Sequence, residues 1–420
     1  MSVMAKKIMY NEINEKADSL FTKQNDWKQI LSLYGCQDFK LQPLLFSWKK
    51  WDLIKALENI SYAAGQLANI RREKDKSGKW VYPMKDLKAA RNLALTALDQ
   101  LLERDPQNTK GLHNKAYIHY NTVIASNNKI VPIYKDLGID RLQDFESAKS
   151  VYETILQQND QDIKANYRLA RLYMTAEKST GRFLQDYLQA KYGSSPCAFR
   201  RKLIARFEKV LSIYENLSAA KAKADFRSEW LRSLYNLGVL YTKQTFIFFP
   251  QDKNLTLDTY LLNRDAYKSV PPYRQCGDET NLRKSFHYLL LIQKEYHIST
   301  KGTLHMQDYL CKANDMHRVY PVSPKELWYR LGDAFATLYR IYSFHREGNI
   351  DSTFWNAVFF YYLALQWAVH TRQSGNNTHE SYDYIAKALN NVLRLQHVQS
   401  IMDPSLKPIR AKTTDPVLIR

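Results

Sequence analysis

The densest chemistry in this chain is cationic. Between Gly181 and Ala224 stand nine Lys or Arg against three Asp or Glu, and Arg200, Arg201, Lys202 and Arg206 fall within one short segment. Such crowding of guanidinium and ammonium groups makes a landing surface for phosphates or acidic side chains. Catalytic constellations are harder to find. There is no Gly-rich phosphate loop, no dinucleotide fingerprint, no His-Glu-x-x-His and no Gly-x-Ser-x-Gly. Cys276 and His287 can be paired on paper as nucleophile and base, but nothing in their spacing supports the pairing. Cys36, Cys197, Cys276 and Cys311 lie far apart, with no Cys-x-x-Cys. They suggest neither a zinc site nor a disulfide framework, so a reducing, cytoplasmic setting fits. No metal or cofactor is expected.

Composition bounds the partners. Lys and Arg number 61 against 42 Asp and Glu, a net charge of +19, which favours anionic partners. Gly and Pro number only 13 each in 420 residues, which argues for long helices rather than a turn-rich sandwich. The most apolar stretch, Phe354 to Val369, is interrupted by Asn356 and Gln366. It is too short to span a bilayer and reads as a buried helix. Met1 to Ile8 runs into Asn11, Glu12 and Glu15 without the apolar core of a signal peptide.

The elements that position these groups show in Ser233 to Tyr241. Leu234, Leu237, Gly238 and Tyr241 share one helix face, and Gly238 permits close approach of a second helix. Leu327-Trp328-Tyr329-Arg330-Leu331-Gly332-Asp333-Ala334-Phe335 repeats the pattern, followed by Ala357, Tyr361 and Ala364 on a second helix. This pattern resembles the tetratricopeptide repeat (TPR), a helical hairpin of about 34 residues. Ala170 and Gly238 lie 68 positions apart, two such periods. One degenerate repeat is therefore expected between them, with Leu203 and Phe207 on a first helix parallel to those of Leu169 and Leu237. The fold class that follows is all-α, an α-solenoid of TPR-like hairpins with long inter-helix insertions. Residues 1–50 read as an N-terminal helical cap and 51–397 as the solenoid, with insertions near 126–140, 245–281 and 299–323. Phe246 to Phe249 are expected to pack on the solenoid, with Asp252 to Tyr273 as a lid. A last helix, Tyr382 to His397, should bury Ile385, Leu389, Val392 and Leu393. Residues 398–420 read as a flexible basic tail.

The resemblance implies a concave groove lined by first helices, at positions set by the Leu-Gly pair. In the earlier repeats these are Lys110, His113, Asn114 and Tyr117, then Lys164, Tyr167, Arg168 and Arg171. In the later ones they are Arg232, Tyr235, Asn236 and Lys243, then Tyr329 and Arg330. All are expected to serve a groove rich in Arg, Lys, Asn and Tyr, with the helix around Arg200 as a second basic surface. Chaperone-binding members of that family grip a C-terminal carboxylate with such side chains. The leading expectation is a non-catalytic scaffold that binds an acidic segment or C-terminus of another protein. The alternative is a helical-repeat protein contacting RNA or DNA. A third reading rests on Arg340 and His345, whose spacing resembles the Arg-x4–6-His motif of HEPN-like ribonucleases. In that family the pair flanks the scissile phosphate and the His transfers a proton.

Overall fold

A computed structural model of the chain describes residues 3–23, 26–69, 84–124, 137–178, 196–245, 247–248, 273–274, 279–296, 321–345, 349–373 and 383–402. Among these the chain is all-α. Thirteen helices form, with a 3-10 turn at Pro43–Ser47 and a two-residue antiparallel ladder pairing Ile247 with Arg274 and Phe248 with Tyr273. None of these helices is long and apolar enough to cross a membrane. The chain divides into two units, Met1–Ser194 and Ser195–Arg420.

The first unit holds α1 (Val3–Lys23), α2 (Trp27–Leu33), α3 (Lys50–Leu67), α4 (Met84–Arg104), α5 (Thr109–Ile124), α6 (Arg141–Gln158) and α7 (Ile163–Lys178). Local signals set several ends. The Asp26 carboxylate accepts the Gln29 amide at 3.0 Å and opens α2. Gly35, at φ +70°, closes it, as a residue tolerant of the left-handed region should. Asp140 caps α6 by accepting the Leu142 amide at 2.8 Å. The residues before α3 are not a separate layer: Trp27, Ile30, Leu31, Tyr34 and Trp48 share one apolar cluster with Leu53, Leu57, Leu93 and Leu98. Helix α3 pairs with α4 and α5 with α6, while α5 also touches α3 and α7. A buried ion cluster pins the junction. Arg91 of α4 reaches both oxygens of Asp144 at 2.7 and 2.8 Å, and His119 of α5 meets the same carboxylate at 2.7 Å.

The second unit holds α8 (Pro196–Glu215), α9 (Ala220–Thr245), α10 (Glu279–Glu295), α11 (Pro324–His345), α12 (Ile350–Gln373) and α13 (Asp383–Met402). Helices α9 and α10 pack together, as do α11 and α12, and α9 also touches α11. The two Leu-Gly pairs sit at the closest approaches. A Cβ on Gly238 would lie 2.6 Å from Leu289 Cγ, and one on Gly332 would lie 2.6 Å from Tyr361 Cδ1. Gly238 also exposes its carbonyl to two hydroxyls, Ser285 Oγ at 2.8 Å and Thr242 Oγ1 at 2.9 Å. In the first unit Gly111, which the repeat pattern does not single out, makes an equally tight approach to the Leu101 side chain.

Three expectations need correction. Leu203 and Phe207 are helical and buried, on α8. But α8 runs antiparallel to α9: Tyr214 stacks on Trp230 while Glu208 accepts from Tyr241. Helix α9 then runs unbroken from Ala220 to Thr245, opened by Ala220 to Ala224, whose Ala and Lys residues are strong helix formers. Leu393 is 41% exposed. It falls about 100° around α13 from Val392, and Leu395 takes the buried place instead. Residues 398–402 belong to α13 rather than to a tail. The rest of the tail, most of the three insertions, Phe246, Phe249 and the segment from Asp252 to Pro272 lie outside the described residues.

Candidate functional site

The inner faces of α5 and α7 bring one group of expected residues together within the first unit. On α5, His113, Asn114 and Tyr117 are half-buried on one side of the helix, and Asn121, one heptad beyond Asn114, extends that side. On α7, Arg168 and Arg171 are half-buried and Lys164 is exposed. The Arg168 guanidinium lies 4.6 Å from the Tyr117 ring centroid. Tyr117 stacks on Tyr120 at 6.1 Å, and Tyr120 meets Tyr152 edge-on at 6.2 Å. A guanidinium on a phenol face gains from the ring quadrupole while keeping its donors available.

The polar groups around that stack are incompletely satisfied. His113 Nε2 pairs with Asp162 Oδ2 at 2.9 Å, and the Ala165 amide donates to Asp162 Oδ1 at 2.7 Å. Burial acts to raise the Asp162 pKa, but the His113 and Ala165 hydrogen bonds outweigh it and hold the carboxyl below its usual range. His113 Nδ1, Asn114 Nδ2 and Asn121 Oδ1 are buried without a hydrogen-bond partner among the described residues. The wholly buried Tyr152 hydroxyl makes no hydrogen bond of good geometry there. Burial raises its pKa far above the phenol range against the pull of Arg168. Burial likewise pushes Tyr120 up to about 12. Among the described residues no carboxylate forms an ion pair with Arg168. Orphaned buried polar atoms are uncommon and call for a partner.

Other expected positions behave differently. Lys110 is exposed and its ammonium bonds Glu58 Oε2 at 2.9 Å. Tyr167 is buried, 6% exposed, so its ring belongs to the packing and not to a ligand face. In the second unit Arg232 is exposed, but Asn236 is buried. Tyr235 donates to Glu326 at 2.5 Å and accepts from Arg330 Nε at 3.1 Å. Arg330 also lies 4.7 Å from the Tyr329 ring centroid and holds Asp333 at 2.8 Å. Asp333 accepts the Tyr361 hydroxyl at 2.8 Å. Tyr329 is wedged edge-on against Tyr384 at 4.9 Å. Tyr235, Asn236, Tyr329 and Arg330 therefore join helices to one another rather than presenting donors to a ligand. The contact between α9 and α11 closes over them. The Lys243 side chain lies outside what is described.

On α8, Arg201 and Lys202 are exposed on the side away from Leu203 and Phe207, while Arg200 and Arg206 flank that buried side and are half-buried. Arg340 and His345 both lie on α11, and positions five apart on one helix sit about 140° apart around its axis. Arg340 Nε is buried without a partner among the described residues, and the His345 side chain lies outside them. Among the described residues no three His, Cys, Asp or Glu gather as metal ligands.

Asn121, Tyr152 and Asp162 are the site residues that sequence reasoning missed. Asn121 was accessible by extending the Asn114–Tyr117 face one further turn. Tyr152 and Asp162 enter from α6 and from the residue preceding α7, which no register rule singles out. No protein-family model matches this chain, and no curated protein matches it.

Proposed function

We propose that this chain is a non-catalytic binding protein, built of TPR-like hairpins stacked as an α-solenoid, that grips an acidic protein segment along α5 and α7. One observation carries the reading. Arg168 sits half-buried on Tyr117, with no carboxylate ion-paired to it among the described residues and with Lys164 and Arg171 one turn to either side. A carboxylate supplied from outside completes the guanidinium, and the Asn114 and Asn121 amides offer further hydrogen bonds to a peptide backbone. The net charge of +19 draws such a segment in. The same charge also supports the nucleic-acid reading, and salt separates the two.

The test uses fluorescence anisotropy with a labelled oligoglutamate peptide and a labelled single-stranded oligonucleotide. Arg168→Gln is expected to weaken the peptide at least about tenfold, with the melting temperature nearly unchanged. A peptide held by a few carboxylates loses little affinity as salt rises. An oligonucleotide contacting many phosphates loses several decades between about 50 and 200 mM. Unchanged peptide affinity in the variant refutes the site. Tighter oligonucleotide binding with a steep salt slope favours the nucleic-acid reading, with α8 as its surface.

A further inference from the structure

We infer that the first unit docks on an anionic lipid surface through the turn that leads into α3. That turn reads Phe46-Ser47-Trp48-Lys49-Lys50-Trp51, with no Asp or Glu. One of its rings faces inward. Trp48 is 9% exposed and stacks on Tyr10 at 4.2 Å, and its amide donates to the Leu45 carbonyl at 3.0 Å. The other two rings face outward. Trp51 is 73% exposed, the highest value of any large apolar side chain among the described residues, and Phe46 is 43% exposed. Lys49 and Lys50 are exposed between them. Each outward ring carries a cation. Lys50 Nζ lies 5.6 Å from the Trp51 ring centroid, and the Arg104 guanidinium lies 5.4 Å from that of Phe46. Arg104 ends α4, which pairs with α3, so both rings stand at one end of that hairpin.

The chemistry of the turn selects its occupant. Aromatic rings beside lysines settle at the level of lipid headgroups, with the ring at the acyl boundary and the ammonium among the phosphates. Trp51 with Lys50, and Phe46 with Lys49, supply that pairing twice. Reversible attachment to a membrane takes two weak signals, apolar insertion and basic attraction. The net charge of +19 adds to the pull of an anionic leaflet. Glu103 holds Arg104 at 3.6 Å, so the uncompensated charge at the turn is that of Lys49 and Lys50. A nucleic-acid strand fits less well. A base stacks on the flat face of a ring, and a cation already takes one face of each ring here. An acidic peptide would use the lysines and leave Trp51 in water.

Vesicle co-sedimentation of the full chain tests this, with phosphatidylcholine alone and with phosphatidylserine added. Binding is expected only when phosphatidylserine is present. Trp51→Ala is expected to weaken it about tenfold. Lys49→Gln combined with Lys50→Gln is expected to weaken it at least about tenfold, since each lysine near the surface is worth roughly fivefold. Leu393→Ala, at an exposed leucine of α13, is expected to leave it unchanged. Lipids brominated on their acyl chains should quench the wild-type fluorescence. Trp51→Phe keeps a ring, so it should bind yet lose most of that quenching. No binding to vesicles overturns the inference. So does binding that Trp51→Ala leaves intact while circular dichroism shows it folded, which is adhesion by net charge alone, or quenching that survives Trp51→Phe. A single-stranded oligonucleotide or a second copy of the chain that needs Trp51, with no binding to vesicles, names another occupant and overturns it as well.

Discussion

Arg168 on α7 and Arg330 on α11 occupy equal places, each just before a buried leucine, Leu169 and Leu331. Each lies over a tyrosine ring, at 4.6 and 4.7 Å. Their neighbours along the helix have opposite signs. Four residues before stand Lys164 and Glu326, and three residues after stand Arg171 and Asp333. Arg330 therefore finds its carboxylate on its own helix, and Glu326 holds the Tyr235 hydroxyl that Arg330 also bonds. Arg168 has cations at both places. Two sign changes at fixed positions separate a cation paired within its own helix from one flanked by cations.

The most severe way to break that contrast is to write the first unit's pattern into the second. Asp333→Arg sets a second cation beside Arg330 and removes the acceptor of the Tyr361 hydroxyl. Losing one partner of a largely buried pair should cost about 3 kcal/mol. Urea unfolding followed by tryptophan fluorescence reads this, since Trp328 and Trp367 lie in the same core. A loss under about 1 kcal/mol would mean that the Arg330 network is not structural. The reverse exchange sharpens the contrast. Arg171→Asp gives Arg168 an internal carboxylate three residues on. It should weaken the oligoglutamate peptide at least about tenfold while shifting stability by no more than about 0.5 kcal/mol.

The smallest effect concerns Asp162. Its folded pKa is lowered, so its pairing stabilises the fold above the ordinary carboxylate value and is lost as pH falls through the lowered one. Asp162→Asn removes that dependence. The difference between urea midpoints at about pH 6 and about pH 3 should shrink in the variant. An equally acid-sensitive variant would show that the His113 pair contributes nothing.

What could be read in advance follows from how far each signal reaches along the chain. Gly238 and Gly332 announced close helix contacts because a missing side chain at a periodic position has few other uses. Gly111 escaped notice because the leucine it meets, Leu101, lies across a turn on the preceding helix. Counting periods of 34 put Leu203 on a helix but gave it the wrong direction, because α8 and α9 are joined by a short turn and so run antiparallel. At the candidate site, register located Arg168, Tyr117 and Asn114. It could not say that Tyr235 and Arg330 would be enclosed, because that depends on α9 and α11 touching. Phe354 to Val369 was legible as a packed helix, because it holds only two strongly polar residues, Asn356 and Gln366.

The uninterrupted α9 has a consequence for how the second unit comes apart. In a row of separate hairpins each repeat can open nearly on its own, at the cost of one interface. Here a single 26-residue helix stacks Trp230 on Tyr214 of α8 and also carries Gly238 against Leu289 of α10. Neither neighbour can detach without stripping a partner from the same rod. Helices α8, α9 and α10 thus form one cooperative block where a regular array would have two, and loosening at either end of α9 is transmitted along its length.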